Sequence, residues 1–443
     1  MARWWEKPGR MQWNEGRALE HDRWYVPIGD IIPPVRAEMA GMPDKVVVTD
    51  ATLREGDDQP CHKPFTIEMK VKVAHELEAV GITETSVGLP AVLEQHRALC
   101  KALREDGIKM LFCAHPQPYT RVKDWKRNLD TLVELGVNVV WLNFGSTDHE
   151  IHMLKDSGIS ISKNHLVEDL CTHASNVIKY AKSVGLIVRP EIFGPTKVPL
   201  ERVASLYKAF AEAGADRIGV SDAYGCNIPE AMKFYVRFVK SVIGPGRKIT
   251  THCHNDYGLA NINTVAAVTA GSEIIDMSVH GMGHRAGIGA LELIVPILEI
   301  LYGVDTGIKM ERLQYLSDFV EEIYGVKKMQ HYPIVGETMW AHEDDSHVGS
   351  ILLDRKSGKQ DAWATYNVMN PSVFGAKEKL QFSRGTISKS PGSALLIKIN
   401  QMGLSATDRQ FDELAARILE ISEKKQFATE GEVERLIEDI LKS

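Results

Sequence analysis

The densest group of side chains able to do chemistry lies in THCHND, residues 251–256. If this segment ends an extended strand, alternate residues share a face, so His252 and His254 point together and Cys253 points away. Two imidazoles so placed, with a carboxylate such as Asp50 from TDATLREGDDQP, make a mixed nitrogen and oxygen site for a divalent metal with positions left for substrate. The structural alternative is a pair of hydrogen-bonded core histidines. The six cysteines, at positions 61, 100, 113, 171, 226 and 253, are dispersed and form no CxxC pair, so they read as reduced thiols and not as ligands or disulfides.

Arg54 stands four residues beyond Asp50. A guanidinium there would hold an enolate or thioester oxygen beside the metal, an electrostatic role that is often the largest catalytic contribution. Its structural alternative is an ion pair with Glu55, Asp57 or Asp58. Glu191 would orient substrate or a metal-bound water, or form a salt bridge. His115, Asp222, His280 and Arg285 are further ionisable groups that follow apolar runs; His115, Asp222 and Arg285, with Gln59, are the candidates for holding substrate.

The elements that must position these groups are legible from residue 44 onward. Short apolar runs alternate with longer amphipathic stretches, joined by glycine or turn residues. Strands are expected at 45–49, 82–87, 108–113, 137–143, 186–191, 216–220, 248–254 and 274–280. Helical patterns fill the gaps, most closed by a glycine suited to a left-handed cap. The last, ALELIVPILEILYG, should kink at Pro296. Eight such units over about 260 residues fit an α/β fold of the (β/α)₈ TIM-barrel type, whose reactive groups gather at the C-terminal ends of the strands. An open doubly wound sheet is the rival, but no GxGxxG follows the first strand. After about Gly307 the rhythm breaks into an appended, mostly helical C-terminal region. Two of its helices carry capping-box spacing, Thr407 with Gln410 and Thr429 with Glu432. The expected division is an aromatic-rich arm over 1–43, a catalytic barrel over 44–305 and a lid-like region over 306–443.

Composition bounds the partners. A net charge of −7 over 443 residues provides no basic field for nucleic acid or an anionic membrane. No apolar run is long enough to span a bilayer and the first residues, MARWWEKPGR, are unlike a signal peptide, so a cytoplasmic protein acting on small molecules is expected. Trp4, Trp5, Trp13 and Trp24 are four of the eight tryptophans, a concentration that predicts burial of the arm against the barrel or a partner subunit.

Three segments, TDATLREGDDQP, THCHNDYGLA and GMGHRAGIGALE, resemble the signatures of the metal-dependent barrel family that contains 2-isopropylmalate, homocitrate and citramalate synthases and the hydroxymethylglutaryl-CoA lyases. The similarity extends through GADRIGVSDAYG to AHEDDSHVGSIL, ATYNVM and ISKSPG, which resemble the subdomains that follow the barrel in the synthases. The resemblance implies that Asp50, His252 and His254 bind a divalent metal (Zn, Mg or Mn) and that Arg54 holds the developing enolate. It implies that His347 and Tyr366 enter the active site from the C-terminal region, with Glu191 supporting His347. The implied reaction joins an acyl-CoA, usually acetyl-CoA, to a 2-oxo acid in a Claisen condensation followed by thioester hydrolysis. A homodimer or higher oligomer, with His347 serving the partner's barrel, is a further expectation.

The chain departs from that pattern in three places. REGDDQ is one residue longer than the usual Arg-acid-Gly-acid-Gln loop, which displaces Gln59. Ile288 stands where the synthases commonly place an Asn near the metal, and Ala223 where many place a Thr that binds the oxo-acid carboxylate. Both losses remove hydrogen bonds from substrate. A carbon–carbon lyase or aldolase on the same barrel is the runner-up, disfavoured because GMGHRAGIG lacks the cysteine of the hydroxymethylglutaryl-CoA lyases. A non-catalytic paralogue is the third reading. No leucine-type regulatory domain is expected after the capped helices.

Overall fold

The computed structural model describes residues 19–20, 24–25, 39, 41–59, 63–116, 124–155, 165–358, 362–390 and 392–442. Trp4, Trp5, Trp13 and Cys61 lie outside the described residues. By chain contacts the molecule divides into two units, one comprising 33–310 and 315–327, the other 1–32, 311–314 and 328–443.

The first unit is the barrel. After a short antiparallel pair, β1 (Leu19–Glu20) and β2 (Trp24–Tyr25), which belongs to the other unit, come eight parallel strands: β3 (Val47–Asp50), β4 (Glu84–Ser86), β5 (Leu111–Ala114), β6 (Val139–Gly145), β7 (Ile187–Phe193), β8 (Arg217–Asp222), β9 (Lys248–Cys253) and β10 (Ile274–Met277). They close in sequence order, β10 returning to pair with β3 through Ile274↔Val47 and Met277↔Asp50. All eight expected strands are present. The last is shorter than expected, because the chain leaves it after Met277 and His280 adopts left-handed backbone (φ 57°).

Helices lie between the strands for the reason the pattern gave: Ile67–Val80 buries Val73, Ala74, Leu77 and Val80 on one face, and Leu200–Glu212 buries Val203, Leu206, Tyr207 and Phe210. The ALELIVPILEILYG segment accommodates Pro296 by passing from α-helix (Leu291–Pro296) into one π-helical turn (Ile297–Leu301), since proline has no N–H for the regular ladder.

The barrel interior differs from the apolar filling expected of doubly buried strands. Its middle is an ionic lattice: Arg217 meets Glu84 at 2.6 Å, and Arg189 lies 3.5 Å from Asp276 and 3.7 Å from Glu191. Arg189 also stacks 3.6 Å over the Trp141 ring. Charges survive burial here because each has an opposite partner.

The second unit packs the helices Asp345–Ser357, Ala394–Gln401, Asp408–Lys425 and Glu430–Leu441 against a small sheet ordered β11 (Ala341–His342), β12 (Lys379–Phe382), β13 (Ala428–Thr429). Leu352, Phe382, Leu395, Leu414, Ile418 and Ile437 form its core. Both expected capping boxes are made, Thr407 with Gln410 and Thr429 with Glu432. The sheet is an addition to the helical expectation, and its strands of two to four residues are too short to leave a period-two signature. Trp24 is 5% exposed and bridges to Met369, so this arm tryptophan is buried within the second unit.

Candidate active site and metal centre

At the end of β9, His252 and His254 turn their Nε2 atoms toward each other at 3.3 Å. His252 Nδ1 faces Asp276 at 3.2 Å. With Nδ1–H donating to that carboxylate, Nε2 carries the lone pair, the arrangement that typically supports a metal-binding histidine. Burial, then the neighbouring His252, pushes His254 down to about 3, so its imidazole is neutral at physiological pH. At 3.3 Å the two Nε2 atoms can share a hydrogen bond or turn their lone pairs to one cation.

The third member of this cluster is Glu55, not Asp50. Glu55, His252 and His254 are all buried and offer ligand atoms within 4.8 Å of one another, with Glu55 Oε1 3.6 Å from His252 Nε2. Asp50 ends β3, but its oxygens are taken by the Thr52 N–H (2.9 Å) and the Thr85 hydroxyl (2.8 Å). Burial lifts Asp50 to about 6 against those two donors. Its task is to pin the turn that begins the one-turn helix Thr52–Glu55, on which Arg54 and Glu55 stand. Sequence reasoning placed the carboxylate at the strand end and treated Glu55 only as an ion-pair partner for Arg54. The overlooked signal was the acid immediately after that arginine in the same motif.

Arg54 is buried, pairs with Glu55, and lies 3.9 Å from Asp58 and 5.4 Å from the centre of the Trp141 ring. Its Nη2 has no partner. Burial opposes the charge of Glu55, but Arg54, a hydrogen bond from His284 and the neighbouring His252 hold that carboxyl well below the usual range. Trp141 forms a common floor: His115 packs on it at 4.6 Å and His252 meets it edge-on at 5.3 Å. His115 is buried, gives Nδ1 to the Trp141 carbonyl at 3.1 Å, and is pushed to about 3 by burial and by Arg54 and Arg189.

Glu191 is buried in β7, accepts the Ser221 hydroxyl at 2.8 Å and approaches Arg189. Gly219 opposite it is required, since a Cβ there would sit 2.4 Å from Glu191 Oε2. Burial raises Glu191, with Arg189 and Ser221 opposing.

Three substrate candidates are engaged in building loops. Asp222 accepts the backbone N–H groups of Cys226 (3.1 Å) and Asn227 (3.0 Å). Arg285 forks onto Asp256 at 2.7 and 2.8 Å and reaches the Ala223 carbonyl at 3.0 Å. Gln59 donates to the Gly56 carbonyl at 3.0 Å, inside its own lengthened loop. His280, with its Nε2 2.7 Å from the Ser317 hydroxyl, is likewise committed.

His347 and Tyr366 belong to the second unit and are brought together there, rings stacked at 3.8 Å and 25°. His342 lies 6.1 Å from His347 and 6.3 Å from Tyr366 and faces Glu378 at 3.7 Å. The His347 N–H lies on the N-cap carboxylate of Asp344, which places it in the first turn of Asp345–Ser357.

Fold and site together define a (β/α)₈ barrel with a carboxylate–imidazole cluster where β3 and β9 end. The chain belongs to the HMGL-like family, whose model matches residues 45–320. It is 31% identical over 91% of its length to a putative (R)-citramalate synthase, CimA, of Methanopyrus kandleri, covering 74% of that protein. It is 29% identical over 91% of its length to the homocitrate synthase AksA of the same organism, covering 94% of it. A 2-isopropylmalate synthase of Methanocaldococcus jannaschii is 29% identical over 91% of this chain and 73% of its own. The solved hydroxymethylglutaryl-CoA lyase of Pseudomonas aeruginosa shares the fold, with a TM-score of 0.52 at 19% identity over 65% of this chain and 95% of that one. The protein is therefore an enzyme of this family. Among the described residues no helix is long and apolar enough to cross a membrane.

Proposed function

We propose that the protein is a divalent-metal-dependent synthase that condenses an acyl-CoA, in the first place acetyl-CoA, with a 2-oxo acid or related carbonyl compound, water then cleaving the thioester to give a 2-hydroxy acid and free CoA. The observation that carries this reading is the buried cluster Glu55, His252 and His254 beside an arginine whose Nη2 is unpartnered. Relatives named as synthases along nine-tenths of the chain support the same direction of chemistry.

Two nitrogens and one carboxylate oxygen suit Zn or Mn better than Mg, which prefers an all-oxygen shell. A bound ion would supply Lewis acidity at the acceptor's ketone oxygen. Arg54 would donate Nη2–H to the oxygen on which enolate charge develops, in a water-poor setting where such a bond counts most. His347 would move the acyl methyl proton, with the Tyr366 hydroxyl assisting. Glu191, held by Ser221 and Arg189, would orient the proton-transfer group. Ala223 contributes only its carbonyl, already bonded to Arg285, and Ile288 is a buried hydrocarbon beside His254. The acceptor therefore lacks two side-chain hydrogen bonds, which argues against a branched or dicarboxylic oxo acid in the usual pose. A homodimer in the cytoplasm completes the reading, with oligomeric state measured by light scattering.

The test is thiol release from metal-loaded protein given acetyl-CoA and a panel of 2-oxo acids, run beside acetyl-CoA formation from hydroxyacyl-CoAs. Free thiol that depends on an oxo acid supports the synthase. Acetyl-CoA formation alone would replace it with the lyase, and metal binding without either reaction would leave a non-catalytic paralogue.

A further inference from the structure

The two oxygens of Glu55 have different surroundings. Oε1 faces inward, paired with Arg54 and 3.6 Å from His252 Nε2. Oε2 faces the loop after β10, where His284 meets it twice, through Nδ1 at 2.7 Å and through its backbone N–H at 3.3 Å. The other ring nitrogen of His284 lies 3.8 Å from Asp58 Oδ2.

The loop is built to keep His284 there. Gly287 (φ 89°) packs so closely that a Cβ would lie 2.0 Å from the Gly281 carbonyl, and the Gly281 carbonyl accepts the Ile288 N–H at 2.9 Å. Arg285, next to His284, is tied to Asp256 and to the Ala223 carbonyl. Gly283 lets the chain pass Glu55, a Cβ there falling 3.3 Å from Oε2.

We propose that His284 is a positioning residue that reserves Oε2, so that Glu55 meets the metal through Oε1 alone. The inference rests on the metal reading above. Its consequence is coordinative. A six-coordinate ion holding two imidazoles and one carboxylate oxygen keeps three positions free, whereas a two-oxygen carboxylate leaves two. A 2-oxo acid needs two adjacent positions, so a one-oxygen Glu55 leaves room for acceptor and a water or second oxygen. Glu55, Asp58 and His284 also lie within 4.8 Å of one another as a second set of donors, but Arg54 is 3.9 Å from Asp58 and paired with Glu55. That positive charge disfavours a second cation, which is why positioning and not a two-metal centre is inferred.

The test uses the full chain, stripped of metal and titrated with Co²⁺ against a chromophoric chelator, with the visible ligand-field spectrum as second readout. His284→Ala should weaken Co²⁺ binding by about 10- to 100-fold, the usual scale for removing a group that supports a ligand, and should change the spectrum as Oε2 becomes available. His284→Gln, which retains an N–H donor, should restore wild-type affinity to within about 3-fold and the wild-type spectrum. Identical affinity and spectrum for wild type and His284→Ala would overturn the inference while leaving the metal site standing. Equal damage by Ala and Gln would overturn it in favour of His284 as a direct ligand. If Glu55→Ala binds Co²⁺ as wild type does, or wild type binds none, the metal reading fails and takes this inference with it.

Discussion

The barrel mouth and the C-terminal unit each present a pair of side chains suited to reaction, and they hold them by opposite means. In the barrel, His252 and His254 are 3% and 7% exposed, fixed by strand β9 and flanked by Asp276 and Glu55. In the C-terminal unit, Tyr366 is 43% exposed and is stacked on His347, which rides the first turn of a helix. Burial among fixed charges is what a metal centre needs, because donors must be aimed before the ion arrives. Groups that move protons need access and some freedom instead. Affinity and proton transfer should therefore be separable by mutation.

The largest expected effect is Glu55→Gln, which removes the only carboxylate in the buried cluster: metal content after dialysis should fall to background and thiol release with it. Retained metal would transfer the ligand role elsewhere, Asp50 being the first alternative. His347→Ala should lower kcat by about 10²- to 10⁴-fold while the metal stays bound; lost metal in this variant would abolish the contrast between the two regions. Arg54→Lys should cost about 10²- to 10³-fold in kcat, again with metal retained, because one ammonium nitrogen cannot occupy both the Nη1 position that holds Glu55 and the Nη2 position beside it.

A smaller effect concerns stability and pH. Burial raises Asp50 to about 6 in the folded chain from the ordinary aspartate value of 3.8. Between those values the folded state holds a proton that the unfolded state has released, so this group's contribution falls as pH rises through the window. Asp50→Asn removes that dependence. Relative to wild type, metal-free Asp50→Asn should thus gain about 2 kcal/mol on going from pH 4 to pH 7, read as the difference between the two denaturation midpoints. A difference independent of pH would show that Asp50 is not perturbed. The smallest effect belongs to the C-terminal unit: Thr429→Ala breaks a capping box and should cost about 1 kcal/mol, seen as a lower Tm with unchanged metal binding.

Much of the fold was readable before any coordinates. All eight barrel strands, both capping boxes and the proline-disturbed helix fall where periodicity and cap chemistry indicated. The site was readable in part. THCHND follows from strand alternation, and His252 and His254 do face each other. Asp50 was credited as a ligand because it ends a strand, yet the backbone turns at once and delivers Glu55. Asp222, Arg285 and Gln59 are polar residues at the right end of the barrel whose hydrogen bonds build loops. The ionic lattice of Arg189, Asp276 and Glu191 left no signature beyond isolated charges in apolar runs.

By itself, then, the sequence determined the order and type of the elements, because apolar period and capping are local properties of the chain. It also determined which kinds of ligand were present, because imidazoles and carboxylates cannot be supplied from elsewhere. Only the tertiary structure decided which carboxylate joins the histidines, which oxygen of Glu55 faces them, and that His284 takes the other. Those choices depend on where a short helix and a tight glycine loop from opposite ends of the barrel sequence meet, and closure of β10 onto β3 is what makes them meet.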